Sequence, residues 1–96
     1  MSLEFDWRDT AEKAARNLRN HGVSFEFATT AFQDPFAIER LDDREPYGEE
    51  RFLLTGMAAE NILLVVVYTE RNGRIRIISA RRATRREQDD YFQHNS

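Results

Sequence analysis

Ile62-Leu63-Leu64-Val65-Val66-Val67-Tyr68-Thr69-Glu70, then Arg71-Asn72-Gly73, then Arg74-Ile75-Arg76-Ile77-Ile78-Ser79-Ala80-Arg81: this stretch decides the fold. Its first part is rich in β-branched residues and apolar on both faces, which marks a central strand. Asn-Gly tolerates the two positive φ values of a type I′ turn, so Asn72-Gly73 predicts a two-residue hairpin. The returning strand alternates Arg74, Ile75, Arg76 and Ile77 between a charged and an apolar face. In the register such a turn sets, Arg71 faces Arg74, Thr69 faces Arg76, Tyr68 faces Ile77 and Val67 faces Ile78. One face then carries Ile62, Leu64, Val66, Tyr68, Ile75 and Ile77 and is expected to form the core. The other carries Thr69, Arg71, Arg74, Arg76 and, further along, Arg82, over a floor of Val65, Val67 and Ile78.

Upstream of the hairpin, Leu3 to Phe5 reads as a short edge strand. Asp6 reads as an N-cap, with Trp7, Ala11, Ala14, Ala15 and Leu18 at helical spacing and Lys13, Arg16, Asn17 and Asn20 on the opposite face. Gly22 ends this helix by supplying the left-handed position after it. Ser24 caps a second helix with Phe25, Ala28, Ala31 and Phe32 as its buried stripe, and Asp34-Pro35 stops it. Phe36 to Leu41 predicts a strand with Phe36 and Ile38 on one face, and Arg51 to Met57 another. Ala58 to Asn61 turns the chain into the hairpin. Thr84 caps a last short helix, Arg85 to about Phe92. Hairpins rather than helical crossovers join the later strands, so the sheet is antiparallel. The fold class is α+β: four to five strands, two N-terminal helices and a short C-terminal helix, with the helices mainly on one face.

Ninety-six residues make a single domain spanning 1–96, with an expected radius of gyration of roughly 12–13 Å. The charged fraction of 32% suits a small domain with much surface. There is no Cys, which excludes disulfides and thiolate metal sites. Met1 to Asp6 shows no basic segment followed by an apolar one, and Ile62 to Tyr68 is too short to cross a bilayer, so a cytoplasmic location is expected. The net charge of −3 hides an asymmetry. Arg71 to Arg86 holds seven Arg and no acid, whereas Asp42, Asp43, Glu45, Glu49 and Glu50 crowd the segment around Arg44. Fields act within about a Debye length, so a basic patch survives an acidic total. Lys13 is the sole Lys, and a composition of planar guanidinium forks leans towards phosphate or carboxylate recognition. Four Arg in Arg81-Arg82-Ala83-Thr84-Arg85-Arg86 repel one another unless an anion is near: either the acidic loop supplies it or a ligand does.

Three segments resemble one family. Lys13-x-x-x-Asn17-x-x-x-His21-Gly22-Val23-Ser24-Phe25-Glu26-x-Ala28 is similar to the N-terminal signature of BrnT-type toxins. Gly48-Glu49-Glu50-Arg51-Phe52 with Gly56 resembles the middle one. Val65 to Arg71, with Arg76-Ile77-Ile78-Ser79-Ala80-Arg81-Arg82-Ala83 and Arg85-Arg86-Glu87, resembles the C-terminal one. The resemblance implies a RelE-like fold and the toxin of a type II toxin–antitoxin system: an endoribonuclease that inhibits translation. It further implies neutralisation by a ribbon-helix-helix antitoxin in a heterotetramer, and operator DNA bound through that antitoxin.

Metal-free RNA cleavage requires deprotonation of a 2′-hydroxyl, stabilisation of charge on the phosphorane and protonation of the leaving 5′-oxygen. Arg76, Arg81 and Arg82 are candidates for clamping the phosphate, with Arg51, Arg71 and Arg74 as further phosphate contacts. The imidazole of His21 is a candidate base or acid, but at a helix C-terminus it equally serves as a cap. Lys13 lies two helical turns from His21 and reads as a phosphate contact or an ordinary helix-face Lys. Glu50 reads as a second base or a solvated loop acid, and Thr69 as a phosphate donor or a plain strand residue. Trp7 and Phe52 read as base-stacking or core aromatics. Two His and no Cys at no ligand spacing give no metal site and no cofactor. The competing function is a non-catalytic protein-interaction or nucleic-acid-binding module that uses the same Arg face.

Overall fold

The computed structural model describes residues 3–96; Met1 and Ser2, part of the segment read for a secretion signal, lie outside them. Helix α1 spans Ala11–His21 and α2 spans Phe25–Thr29, continued by a 3₁₀ turn over Thr30–Gln33. Strands β1 (Ile38–Asp42), β2 (Arg51–Ala58), β3 (Ile62–Arg71) and β4 (Arg74–Arg82) follow, and α3 (Arg85–His94) ends the chain. The four strands form one antiparallel sheet in the order β1-β2-β3-β4. The expected fold class holds, and the Cα radius of gyration is 12.9 Å.

The hairpin turn is as predicted. Asn72 and Gly73 both have positive φ, 52° and 76°, and Arg71 pairs with Arg74, Thr69 with Arg76 and Tyr68 with Ile77. Beyond Tyr68 the register changes. Val67 pairs with Ser79, not Ile78, and the shift carries on to Val65↔Arg81 and Leu64↔Arg82. Ile78 is therefore the extra residue of a β-bulge, and one inserted residue exchanges the faces of everything after it. Arg81 joins the face of Arg74 and Arg76, whereas Arg82 leaves it. This corrects the expected sorting, which placed Arg82 there.

Helix α1 also departs from expectation. Asp6 does not cap it; Arg8 donates to the Asp6 carboxylate from its backbone N at 3.0 Å and its Nη2 at 2.9 Å. The helix opens after Thr10, whose hydroxyl donates to the Trp7 carbonyl at 2.7 Å. The face expected to be buried is so only in part: Ala14 packs against the core, but Leu18 is 52% exposed. Instead Asn17, read as a polar-face residue, is the buried residue of α1. Its amide donates to the carbonyls of Ala80 (2.8 Å) and Val23 (2.9 Å) and accepts from Ala80 N (3.0 Å). β4 is an edge strand, and an edge carries unpaired backbone donors and acceptors that must be satisfied. The carboxamide does this at Ala80. At Ile75 the N-terminal segment does it, through Asp6 N→Ile75 O and Ile75 N→Glu4 O, both 2.8 Å. The expected edge strand over Leu3 to Phe5 is thus one parallel bridge, Phe5↔Ile75.

The main core lies between the sheet and α2. Phe25, Ala28 and Ala31 pack on Leu54, Leu64, Val66, Tyr68, Ile75 and Ile77. Phe52 packs against this core and stacks on Tyr68, and Trp7, 43% exposed, stacks on Phe5. The helical segment approaches β2 closely at Gly56, where a Cβ would lie 2.7 Å from the Ala31 carbonyl oxygen. A backbone atom cannot yield there, so Gly56→Ala is expected to destabilise the fold by about 1–3 kcal/mol. Thermal melts showing an unchanged midpoint would refute this.

Two of the three helices lie on the main-core face, as expected of most of them, whereas α3 packs on the opposite face of the sheet. Ala83 and Tyr91 join Leu63 and Val65 in a second cluster, flanked by Ile38, Leu53 and Met57. Thr84 caps α3 in a capping box with Glu87. The Tyr91 hydroxyl donates to Asp34 Oδ2 at 2.6 Å, and the same oxygen accepts from Met57 N at 2.7 Å. Phe36, expected to share a strand face with Ile38, instead precedes β1 and is 60% exposed. No helix among the described residues is long and apolar enough to cross a membrane.

Candidate nucleic-acid interface

The face of the sheet opposite α2 is covered by α3 only at one end. Cross-strand pairing assigns it Ile38, Thr55, Val65 and Arg81 in one row, and Arg40, Leu53, Val67 and Ser79 in the next. Further towards the hairpin, Asp42 faces Arg51 and Thr69 faces Arg76. Arg71 and Arg74 close this face at the turn. Six guanidinium groups, from Arg40, Arg51, Arg71, Arg74, Arg76 and Arg81, therefore share one face over a partly apolar floor.

The chain's own carboxylates hold several of them. Arg71 Nη2 donates to Glu49 Oε1 at 2.9 Å, and Arg74 Nε lies 3.3 Å from Glu4. Arg81 grips Glu87 with both terminal nitrogens, at 2.7 and 2.9 Å. Arg51 sits 4.1 Å above the Tyr47 ring and 3.6 Å from Glu49. Its Nε is buried and makes no hydrogen bond among the described residues. Arg40, Arg76 and Arg82 form no ion pair among the described residues, although the Asp6 charge reaches Arg76.

The other candidates lie elsewhere. Thr69 is buried and its hydroxyl donates to the Glu50 carbonyl at 2.7 Å, fastening β2 to β3; its proton is already used within the fold. Glu50 is exposed, precedes β2, and its carboxylate makes no hydrogen bond or ion pair among the described residues. Lys13 and His21 are exposed on α1, one turn before and one turn after Asn17. They flank the β4 edge on the side of α1. His21 is the last residue of α1, followed by Gly22 at φ 69°. Arg82 borders a hollow of about 300 Å³ with Leu18, Val23 and Phe27, and a neighbouring one beside Gln88 and Phe92. The structure thus parts the candidates into a sheet-face group, with Arg51, Arg71, Arg74, Arg76 and Arg81, and an α1-side group of Lys13, His21 and Arg82. No group of three His, Asp or Glu among the described residues is placed to hold a metal ion.

Sequence reasoning missed Arg40 and Arg44. With Arg81, Glu87, Asp90 and Tyr91 they line a cleft of about 200 Å³ between the sheet and α3. The alternation Ile38-x-Arg40-x-Asp42 already placed Arg40 on that face; Arg44 was hidden as the lone base of an acidic loop. Asp42 is buried and accepts from Arg44 Nε at 2.7 Å and Nη2 at 2.8 Å.

These pairs set the acid response. The Arg44 hydrogen bonds hold the Asp42 carboxyl at about 2, and those from Arg81 hold Glu87 at about 2. Arg8 keeps Asp6 well below the usual carboxylate range, and Arg71 lowers Glu49. For Tyr91, burial and then the bond to Asp34 push the phenol up to about 12. A carboxyl whose folded pKa is depressed contributes stability that is complete above its unfolded pKa, near 4, and lost as pH falls towards the folded value. The melting temperature is therefore expected to drop between about pH 4 and pH 2, with a shallower drop in Asp42→Asn. A midpoint unchanged across that window would refute the assignment.

An α+β domain with an arginine-lined antiparallel sheet face, covered by a helix only at one end, is the class these observations define. The sequence model described as "Ribonuclease toxin, BrnT, of type II toxin-antitoxin system" matches residues 9–87, and the chain belongs to this family. Among solved structures, the chain is similar to the Brucella abortus ribonuclease toxin BrnT. The two share 19% identity with a TM-score of 0.53, over 88% of this chain and 99% of that one. That likeness is one of fold. No curated protein matches the chain.

Proposed function

We propose that the chain is an endoribonuclease that binds RNA on the open sheet face and cleaves it without a metal ion. The observation that carries this reading is the bulge at Ile78, which brings Arg81 onto the face of Arg76 and Arg51. Metal-free scission by an internal 2′-oxygen needs positive groups around the phosphate as charge builds, and Arg76 and Arg81 are the residues assigned that role. Arg51, with Arg71 and Arg74 nearer the turn, positions the flanking phosphates. His21 and Arg82 serve the reaction only if RNA wraps the β4 edge, where Arg81 and Arg82 stand on opposite sides; Lys13 would then guide the strand along α1. His21→Ala is accordingly assigned the smaller effect.

Family membership supports an antitoxin partner. That this partner is of the ribbon-helix-helix type, joins the toxin in a heterotetramer and carries the complex to operator DNA belongs to the same proposal, as does inhibition of translation. Induced expression of the chain should arrest growth, co-expression of the antitoxin should restore it, and purified antitoxin-free chain should cut RNA in EDTA. Folded chain that leaves RNA intact would sink the reading.

A second reading has its own observation. Arg71, Arg74 and Arg81 are already paired with Glu49, Glu4 and Glu87, as expected of a stable docking surface rather than a reactive one. It predicts a tight heteromeric complex whose formation does not depend on RNA, and no turnover of RNA.

A further inference from the structure

The cleft beside α3 differs from the rest of the sheet face in how its arginines are held. Two of them are braced from behind: Arg44 by the buried Asp42 carboxylate, and Arg81 by Glu87. Each brace uses two of the nitrogens of a guanidinium that carries five N–H donors. Arg44 keeps Nη1, Arg81 keeps Nε, and Arg40 keeps all its donors, for among the described residues it meets no carboxylate. Arg44 is near enough for its charge to oppose that of Arg81, whose protonated form Glu87 otherwise favours. Three cations thus border a cavity of about 200 Å³, floored by Leu53 and Val65. Bracing removes the entropy cost of fixing long side chains on a ligand, which is what a preorganised anion site requires.

Asp90 lines the same cavity and has no hydrogen bond or ion pair among the described residues. A carboxylate beside three guanidiniums disfavours an acidic peptide but accepts from a hydroxyl. Phosphate donors next to a hydroxyl acceptor match a sugar phosphate.

We propose that this cleft binds the phosphate and ribose of one nucleotide of a bound RNA, with Arg40, Arg44 and Arg81 on the phosphate and Asp90 on a ribose hydroxyl. The proposal rests on the reading that the sheet face binds RNA and assigns β1 and its following loop a share of that contact.

The test titrates the full chain with ribose 5-phosphate, 2-deoxyribose 5-phosphate and sodium chloride at matched ionic strength, following the arginine Nε–Hε resonances by NMR. The signals of Arg40, Arg44 and Arg81 are expected to move together and saturate, with ribose 5-phosphate binding more tightly than the deoxy sugar. Arg40→Ala should weaken binding about tenfold, the loss of one charge-assisted contact. Asp90→Ala should erase the preference for ribose. Shifts no larger than those of Arg16 and Arg19 on α1, or equal shifts with chloride, would overturn the proposal. So would tighter binding of a polyglutamate peptide to these three signals, which would make the cleft a protein-docking site. Saturation by ribose 5-phosphate supports the cleft even if RNA cleavage, assayed separately, fails; that failure would fall on the ribonuclease reading.

Discussion

Arg81→Ala is expected to lower RNA cleavage by about 10²–10³-fold, the usual cost of removing one preorganised donor to a transition-state anion. Arg82→Ala, one residue on, should lose less than about tenfold, because the bulge turns it away from the site. The contrast is the informative part. Adjacent arginines of equal charge would behave alike if the segment worked only as a diffuse basic patch. Stability does not account for the difference. The Arg81–Glu87 pair is partly solvent-exposed, at 37% and 29% for the two side chains, and an exposed ion pair is worth only about 0–1 kcal/mol. Glu87 also keeps its second task, accepting from Thr84 N at 2.8 Å in the α3 capping box. Arg81→Ala should therefore melt within a few degrees of the parent, while Arg81→Lys, which keeps the charge but not the fork, recovers only part of the rate. Equal losses at 81 and 82 would remove the bulge from the argument, and full activity in Arg81→Ala would remove the sheet face.

The same bulge marks where sequence and structure part. Asn72-Gly73 was legible because its turn is set by two residues' own backbone preferences. The alternation from Arg74 to Ile77 was legible for a similar reason. Ile77-Ile78 breaks that alternation, and two consecutive apolar residues state that something changes without stating which way. The direction is set by distant contacts: Ala80 beneath Asn17, and Arg81 turned towards α3. Asp6 had the right chemistry for a cap and the wrong neighbour, since Arg8 takes both of its oxygens. Arg40 could be placed on a strand face from the pattern, but its closeness to Arg44 and Arg81 depends on β1 lying across the sheet from β4 with α3 folded over between them. A period-2 pattern gives the face and not the neighbours.

Asn17 should carry the largest effect on stability. Read by periodicity it is a surface residue of an amphipathic helix, yet it is 5% exposed and makes three hydrogen bonds to main chain. Truncation to Ala removes no large apolar area, so a hydrophobic account predicts almost nothing. A polar account predicts otherwise. The Ala80 N–H and C=O and the Val23 C=O all lose their partner, and each buried unsatisfied group costs about 1–3 kcal/mol. Some rehydration at the sheet edge moderates the total, leaving a loss of about 2–4 kcal/mol, roughly 8–30 °C in melting temperature for a domain of this size. Asn17→Asp keeps one acceptor and loses both donors, so it should do no better. Arg16→Ala, one position away and exposed, should stay within about 0.5 kcal/mol. Amide exchange locates the effect: the Ala80 N–H should be protected in the parent and exchange much faster in Asn17→Ala. A variant that melts with the parent and keeps Ala80 protected would show that the β4 edge is closed by something other than this carboxamide. The placing of α1, and with it His21 and Lys13 beside the sheet, would then need another cause.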